Sequence, residues 1–98
     1  MEFEKPLKSG FTIYSKSGCP NCVKAKALLN NKHLLLKVVN CDEYIIEDKE
    51  TFLLFITSLS NTEVKMFPIV FYDGKFVGGY NEMITFVEEL LLAFDANF

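Results

Sequence analysis

Two periods of apolar and polar positions alternate along the chain, and the places where the period changes outline its elements. Phe11-Thr12-Ile13-Tyr14 alternates at period two with β-prone side chains and predicts a short strand. Ser17-Gly18-Cys19-Pro20 breaks that pattern. Pro20 suits the first turn of a helix, where its missing N–H would have no partner anyway. From Pro20 to about Asn31 the chain is rich in Lys, Ala and Leu, which are good helix formers. Asn30-Asn31-Lys32-His33 ends the helix. Leu34 to Val39 is an apolar run broken only by Lys37, the pattern of a strand buried on both faces.

Ile45, Phe52, Phe55, Ile56 and Leu59 recur at helical spacing and predict a second helix over 45–58, with acids near its start. Ser60 to Glu63 reads as a loop. Ile69–Tyr72 and Lys75–Val77 flank Asp73-Gly74, a two-residue hairpin signal. After Gly78-Gly79, Met83, Ile84, Val87, Leu90, Leu91 and Phe94 form one stripe of an amphipathic helix. The order is β-α-β-α-β-β-α: a parallel βαβ unit, a hairpin and a closing helix. Crossovers of this kind are right-handed. The simplest arrangement is an α/β domain with a central four-stranded mixed sheet and helices on both faces.

The 98 residues fit one domain, spanning 1–98, and half of them are apolar. A core is therefore attainable without disulfide staples. The net charge of −3 gives no general reason to expect nucleic-acid or membrane-surface binding. All ten basic residues are Lys, so no planar bidentate clamp on a carboxylate or phosphate is available. The first six residues carry two acids and no apolar run, unlike a signal peptide. No stretch reaches transmembrane length. The expectation is a cytoplasmic protein, where thiols are kept reduced. The three cysteines then point to chemistry rather than to staples, because two of them, Cys19 and Cys22, form a C-x-x-C pair.

Cys19 sits where a strand gives way to a helix. Unpaired N–H groups of the first turn and the helix dipole favour a thiolate there, and Lys16 adds a nearby cation. Cys22 lies one helical turn on, on the same face and further into the helix. This geometry makes Cys19 the attacking thiol and Cys22 the resolving one. Half of a zinc site is the alternative reading of C-x-x-C, with Cys41 and His33 as further ligands, but these lack a paired spacing. Cys41 follows a strand and reads as a core thiol. His33 lies past a helix C-terminus, far from Cys19, where a histidine is ordinary. Most of the ten Phe residues are assigned to the core, with Phe67 and Tyr80 expected to be partly exposed.

Two further elements bear on binding. In Met66-Phe67-Pro68-Ile69, Pro68 marks the first residue of a strand, because it cannot donate to a ladder. A plain edge-strand start would explain it; a cis Phe67–Pro68 bond would turn the Phe67 backbone toward the thiol for pairing with an extended peptide. Gly78-Gly79 before Tyr80-Asn81-Glu82 permits close backbone approach, and the helix start beyond it can take a carboxylate. An ordinary turn capped by Asn81 explains the same residues.

Together these blocks resemble the glutaredoxin family, a branch of the thioredoxin-like fold, over roughly residues 10–94. The resemblance rests on Tyr14-Ser15-Lys16-Ser17-Gly18-Cys19-Pro20-Asn21-Cys22, on Phe67-Pro68-Ile69-Val70-Phe71 and on Asp73-Gly74-Lys75-Phe76-Val77-Gly78-Gly79. It implies a dithiol enzyme that reduces protein disulfides and glutathione mixed disulfides, with glutathione as reductant and co-substrate and no metal. It implies that Lys16 meets a glutathione carboxylate. It further implies that Met66, Phe67 and Pro68 pair with the tripeptide backbone, and that Gly79, Tyr80 and Asn81 hold its γ-glutamyl end. A monomer whose partners are glutathione and disulfide-bearing proteins is expected. The chain departs from the family's habit at Asn21, at Met66-Phe67 and at Tyr80-Asn81-Glu82, around the groove rather than the thiols. Two other readings stay open: a carrier reduced by a thioredoxin reductase, and an iron–sulfur module shared between chains.

Overall fold

Phe11 and Ile13 project from one face of strand β1 (Phe11–Ser15) and Tyr14 from the other, all fully buried, so the strand needs cover on both sides. The computed structural model, which describes residues 2–95, supplies that cover with two layers of helix. After β1 come α1 (Pro20–Asn31), β2 (Leu36–Asn40), α2 (Asp42–Ser60), β3 (Ile69–Tyr72), β4 (Lys75–Gly78) and α3 (Tyr80–Asp95). The sheet order is β2-β1-β3-β4, with β1 parallel to β2 and the other pairs antiparallel. This is the four-stranded sheet with helices on both faces expected from the element order, and the thioredoxin-like fold that the family resemblance implies.

Ala25 and Leu29 of α1 and Met83 and Val87 of α3 pack with Phe11, Ile13 and Val70 on one face. Phe52 and Ile56 of α2 pack with Tyr14, Val39, Cys41, Ile69 and Phe71 on the other. The alternation of β1 and β3 therefore feeds two separate cores through one sheet. Met83, Ile84, Val87, Leu90 and Leu91 form the α3 stripe as expected. The side chain of Phe94, assigned to the same stripe, lies outside the described residues.

The run from Leu34 to Val39 departs from expectation. The strand starts at Leu36 and is not buried on both faces: Val38 is 43% exposed and only Val39 is fully inside. β2 is an edge strand, and its place in the sheet leaves part of one face to solvent. Helix α2 also begins earlier than its apolar spacing suggests, at Asp42, where Asp42 and Glu43 complement the helix dipole. Its backbone is non-helical at Asp48.

His33 has a structural part. It takes φ +56° beyond α1, with its N–H bonded to the Asn30 carbonyl and the Leu34 N–H bonded to the Leu29 carbonyl. These two bonds close a Schellman turn that satisfies the last carbonyls of the helix. Asp73 and Gly74 have φ of +51° and +80°, the pair of positive values that a type I′ hairpin demands.

The residues before β1 strap the α2 face. The Tyr14 hydroxyl donates to the Glu4 carbonyl at 2.6 Å, and the Phe3 ring meets Tyr44, Phe52 and Phe55 at 4.9–5.4 Å. Burial is the main cause that raises the Tyr14 phenol well above its ordinary pKa. Phe52 is the centre of this cluster, touching the rings of Phe3, Tyr14, Tyr44, Phe55 and Phe67. Phe52→Ala should cost about 3–5 kcal/mol in urea unfolding, a large share of the roughly 5–15 kcal/mol typical of a domain. A cost under about 1 kcal/mol would show that the cluster collapses into the space without penalty.

Candidate active site

β1 ends at Ser15, and the chain must cross from the sheet to α1 within four residues. Three contacts hold this crossing. The Cys41 N–H donates to the Ser15 carbonyl at 2.7 Å, and the Ser17 N–H donates to Asp42 Oδ1 at 2.8 Å. The Ser17 hydroxyl donates to Asp42 Oδ2. Cys19 then occupies the N-cap of α1 in extended conformation, with Pro20 beginning the helix. The Cys22 N–H donates to Cys19 Sγ at 3.2 Å, so the sulfur takes the place of a capping oxygen.

Cys19 and Cys22 are joined in a disulfide, with Cα atoms 5.2 Å apart. Cys19 is half-buried and Cys22 is wholly buried. The pair can store two electrons as thiols and release them on oxidation, and only Cys19 presents sulfur to solvent. The third cysteine, Cys41, is buried among the α2-side core, where its thiol faces the Val39 carbonyl. Burial pushes it up to about 12. Among the described residues, no group of three or more His, Cys, Asp or Glu is placed to hold a metal ion. His33 stands at the far end of α1, roughly 20 Å of helix from Cys19.

A cavity of about 350 Å³ opens beside Cys19, lined also by Lys16, Pro20, Asn21, Lys65, Met66 and Phe67. The Lys16 ammonium lies 5.7 Å from the centre of the Phe67 ring. A second groove, of about 610 Å³, shares Asn21, Lys65, Met66 and Phe67 with the first. It continues past Pro68 to Gly79, Tyr80 and Asn81. Lys16, Met66 and Phe67 thus stand with Cys19, whereas Pro68, Gly79, Tyr80 and Asn81 lie along the continuation. Phe67 and Tyr80 are half-buried, as expected, and the Phe67–Pro68 bond is cis.

Asn81 does not cap α3. The Gly79 carbonyl accepts the first helical bond from Met83, and Glu82 reaches back to the Gly79 N–H at 2.8 Å, as in the N3 half of a capping box. Gly78 permits this closure: at φ +138°, a Cβ there would stand 2.6 Å from Glu82 Cβ.

Two features were not found from the residues alone. Lys65 borders both cavities, but in the chain it looks like an ordinary solvated loop charge. The Asp42–Ser17 clamp joins positions 25 residues apart and leaves no local signal.

A family model described as Glutaredoxin matches residues 11–77. Glutaredoxin 1 of Rickettsia prowazekii is 31% identical over 85 residues, which is 87% of this chain and 84% of that protein. The crystal structure of glutaredoxin 1 from Francisella tularensis complexed with cacodylate superposes with a TM-score of 0.71 at 23% identity, covering 83% of this chain and 94% of that one. A buckwheat glutaredoxin–glutathione complex superposes with a TM-score of 0.66 at 19% identity, covering 81% of this chain and 68% of that one. These last two likenesses establish the fold.

The clamp and the buried thiol each carry a measurable consequence. Hydrogen bonds from Ser17, aided by the Lys16 charge, hold the Asp42 carboxyl below its ordinary value. The stabilisation is therefore present above the ordinary Asp pKa of about 3.9 and is lost as pH falls through the lowered folded value. Asp42→Asn should lower the urea midpoint at pH 7, and the gap to the parent should close in acid. A gap that stays constant with pH would remove the carboxylate from this role. For Cys41 the sign reverses: its raised value favours the folded state below the ordinary thiol pKa, and that advantage fades as pH climbs toward about 12. Iodoacetamide at pH 8 should leave Cys41 unmodified in native reduced protein and alkylate it after denaturation. Native-state alkylation at the unfolded rate would contradict the burial.

Proposed function

The chain belongs to the glutaredoxin family of thiol–disulfide oxidoreductases, and from that premise we propose that it is a glutathione-dependent enzyme in which Cys19 attacks and Cys22 resolves. The observation that carries this reading is the asymmetry of the pair. Both sulfurs lie at one helix start, with Cys19 open to a groove and Cys22 buried behind it. In the reduced protein, the Cys22 N–H aimed at Cys19 supports negative charge on the attacking sulfur.

On a glutathione mixed disulfide, the Cys19 thiolate attacks the glutathione sulfur and expels the substrate thiolate. A second glutathione thiolate then attacks the glutathione sulfur bound to Cys19. Oxidised glutathione leaves, and the Cys19 thiolate is restored. On a protein disulfide, Cys19 forms a mixed disulfide with one substrate sulfur. Cys22 attacks Cys19, the second substrate thiol is released, and the enzyme is left as the Cys19–Cys22 disulfide. Two glutathione molecules return it to the dithiol and leave as one oxidised glutathione.

The groove supports glutathione in chemical terms. Lys16 and Lys65 offer point charges for the glycyl carboxylate. Met66, Phe67 and Pro68 offer an extended backbone edge to the tripeptide. Tyr80 and Asn81, at the start of α3, offer backbone N–H groups to the γ-glutamyl carboxylate, and Gly79, whose own N–H is taken by Glu82, lets it approach the backbone closely. A related buckwheat glutaredoxin has been solved with glutathione bound. In this reading the whole chain acts as one domain, a monomer in a reducing cytoplasmic setting. Reduction by a thioredoxin reductase and iron–sulfur binding have no observation in their favour.

Removing one thiol at a time separates the two reactions. Cys22→Ser should retain most turnover of a small glutathione mixed disulfide and lose most reduction of a protein disulfide, because only the second reaction needs an internal resolver. Cys19→Ser should abolish both. If Cys22→Ser is inactive on the mixed disulfide at saturating glutathione, the glutathione reading fails.

A further inference from the structure

A third and larger cavity, of about 800 Å³, lies between α2 and the connection that precedes β3. It falls within the roughly 300–1,000 Å³ range of ligand sites. Its floor is apolar, built from Ile45, Leu53, Leu54, Val64 and Phe67. Leu54, part of this apolar lining, is 70% exposed. Lys16, Lys49 and Lys65 stand on the rim with Glu50 and Glu63, and Lys65 pairs with Glu63 at 3.3 Å. Lysines thus outnumber acids here, whereas the whole chain carries −3.

The trough is continuous with the thiol site. Lys16, Lys65 and Phe67 border both this cavity and the one that holds Cys19. The groove that leads to Gly79, Tyr80 and Asn81 shares Glu63, Val64, Lys65 and Phe67 with the trough but continues past Pro68 to the start of α3, whereas the trough continues along Ile45, Lys49, Leu53 and Leu54 of α2. Glutathione offers no large apolar side chain, so it leaves a floor of leucine, isoleucine and valine without a partner. A polypeptide attached through its own sulfur has such side chains on either side of the reacting cysteine.

We infer that this trough docks the polypeptide flank of a disulfide-bearing substrate, taking a large apolar side chain against Leu53, Leu54 and Val64 and an acidic side chain against Lys49 and Lys16. The inference rests on the oxidoreductase reading above and adds a substrate class to it: cysteines followed or preceded by apolar and acidic residues. Burial of the apolar side chain supplies affinity, and the lysines set preference for the acidic neighbour.

Two synthetic peptides with the same internal disulfide provide the test, one flanked by Leu and Glu and the other by Ser and Lys. A small glutathione mixed disulfide serves as the third substrate. The parent enzyme should reduce the Leu/Glu peptide at least about tenfold more efficiently than the Ser/Lys peptide, the effect of about 1.4 kcal/mol. Leu54→Ser with Lys49→Glu should erase that preference while leaving turnover of the mixed disulfide unchanged. Both positions are on the surface of α2, and Leu54→Ser alone serves as the milder variant. No preference in the parent, or a preference that survives the double variant, overturns the trough as a docking surface while leaving the oxidoreductase reading intact. A parent that reduces none of the three substrates overturns the oxidoreductase reading itself. If sedimentation shows the parent to be a dimer that Leu54→Ser dissociates, and peptide preference does not change, the trough belongs to a second copy of the chain and the proposal falls.

Discussion

The 2.7 Å bond from the Cys41 N–H to the Ser15 carbonyl carries the parallel pairing of β1 and β2 one step beyond their ladder. Next to it, Asp42 accepts both the N–H and the hydroxyl of Ser17. The turn from β1 into α1 is thus tied to the start of α2 on the far side of the sheet. Cys19 has no side-chain tether of its own within this turn, except through Cys22. Its position is inherited from these bonds, and so is the aim of the Cys22 N–H at its sulfur. A shift at Asn40–Asp42 would be felt at the disulfide without any residue of the disulfide changing.

The two cores divide the labour around that junction. The α1/α3 side packs aliphatic residues around Phe11, whose ring meets Tyr72 and Phe86, and holds the helix that presents both cysteines. The α2 side is aromatic, centred on Phe52, and includes Cys41 and Phe67. Phe67 stacks on Phe52 from the groove side, with an interplanar angle of 11°, while Lys16 covers its ring. The aromatic core therefore reaches the cavity beside Cys19 directly. Phe3 completes it from before the first strand, which is why a segment without regular structure is nevertheless ordered against α2.

Cys19 stands where surfaces of different chemistry meet. One runs over Pro68 to the start of α3 and offers backbone groups and glycines. The other runs over Phe67 to α2 and offers a leucine-rich floor with lysines on its rim. Lys65 borders both and also the thiol cavity between them. A single loop, residues 63–67, thereby contributes to the lining of all three cavities.

Much of this was legible in the chain because the signals are local. Alternation over Phe11–Tyr14, the Asp73-Gly74 turn, the α3 stripe and C-P-N-C after a strand each depend on neighbours within a few residues, so element order and the identity of the disulfide pair follow from the residues alone. Burial was less legible. Leu34–Val39 looks like an interior strand, but an apolar run reports what could be buried and not which strand lies at the edge; that is settled by the sheet order. The Asn81 cap was displaced by a Glu82–Gly79 closure that depends on the Cβ-free backbone of Gly78. The Ser17–Asp42 clamp, the meeting of Lys16 with Phe67 and the place of Lys65 among the cavities join residues tens of positions apart. No periodicity encodes such pairs, because they form only when packing on both faces of the sheet brings the β1–α1 turn, the start of α2 and the loop before β3 to one end of the molecule.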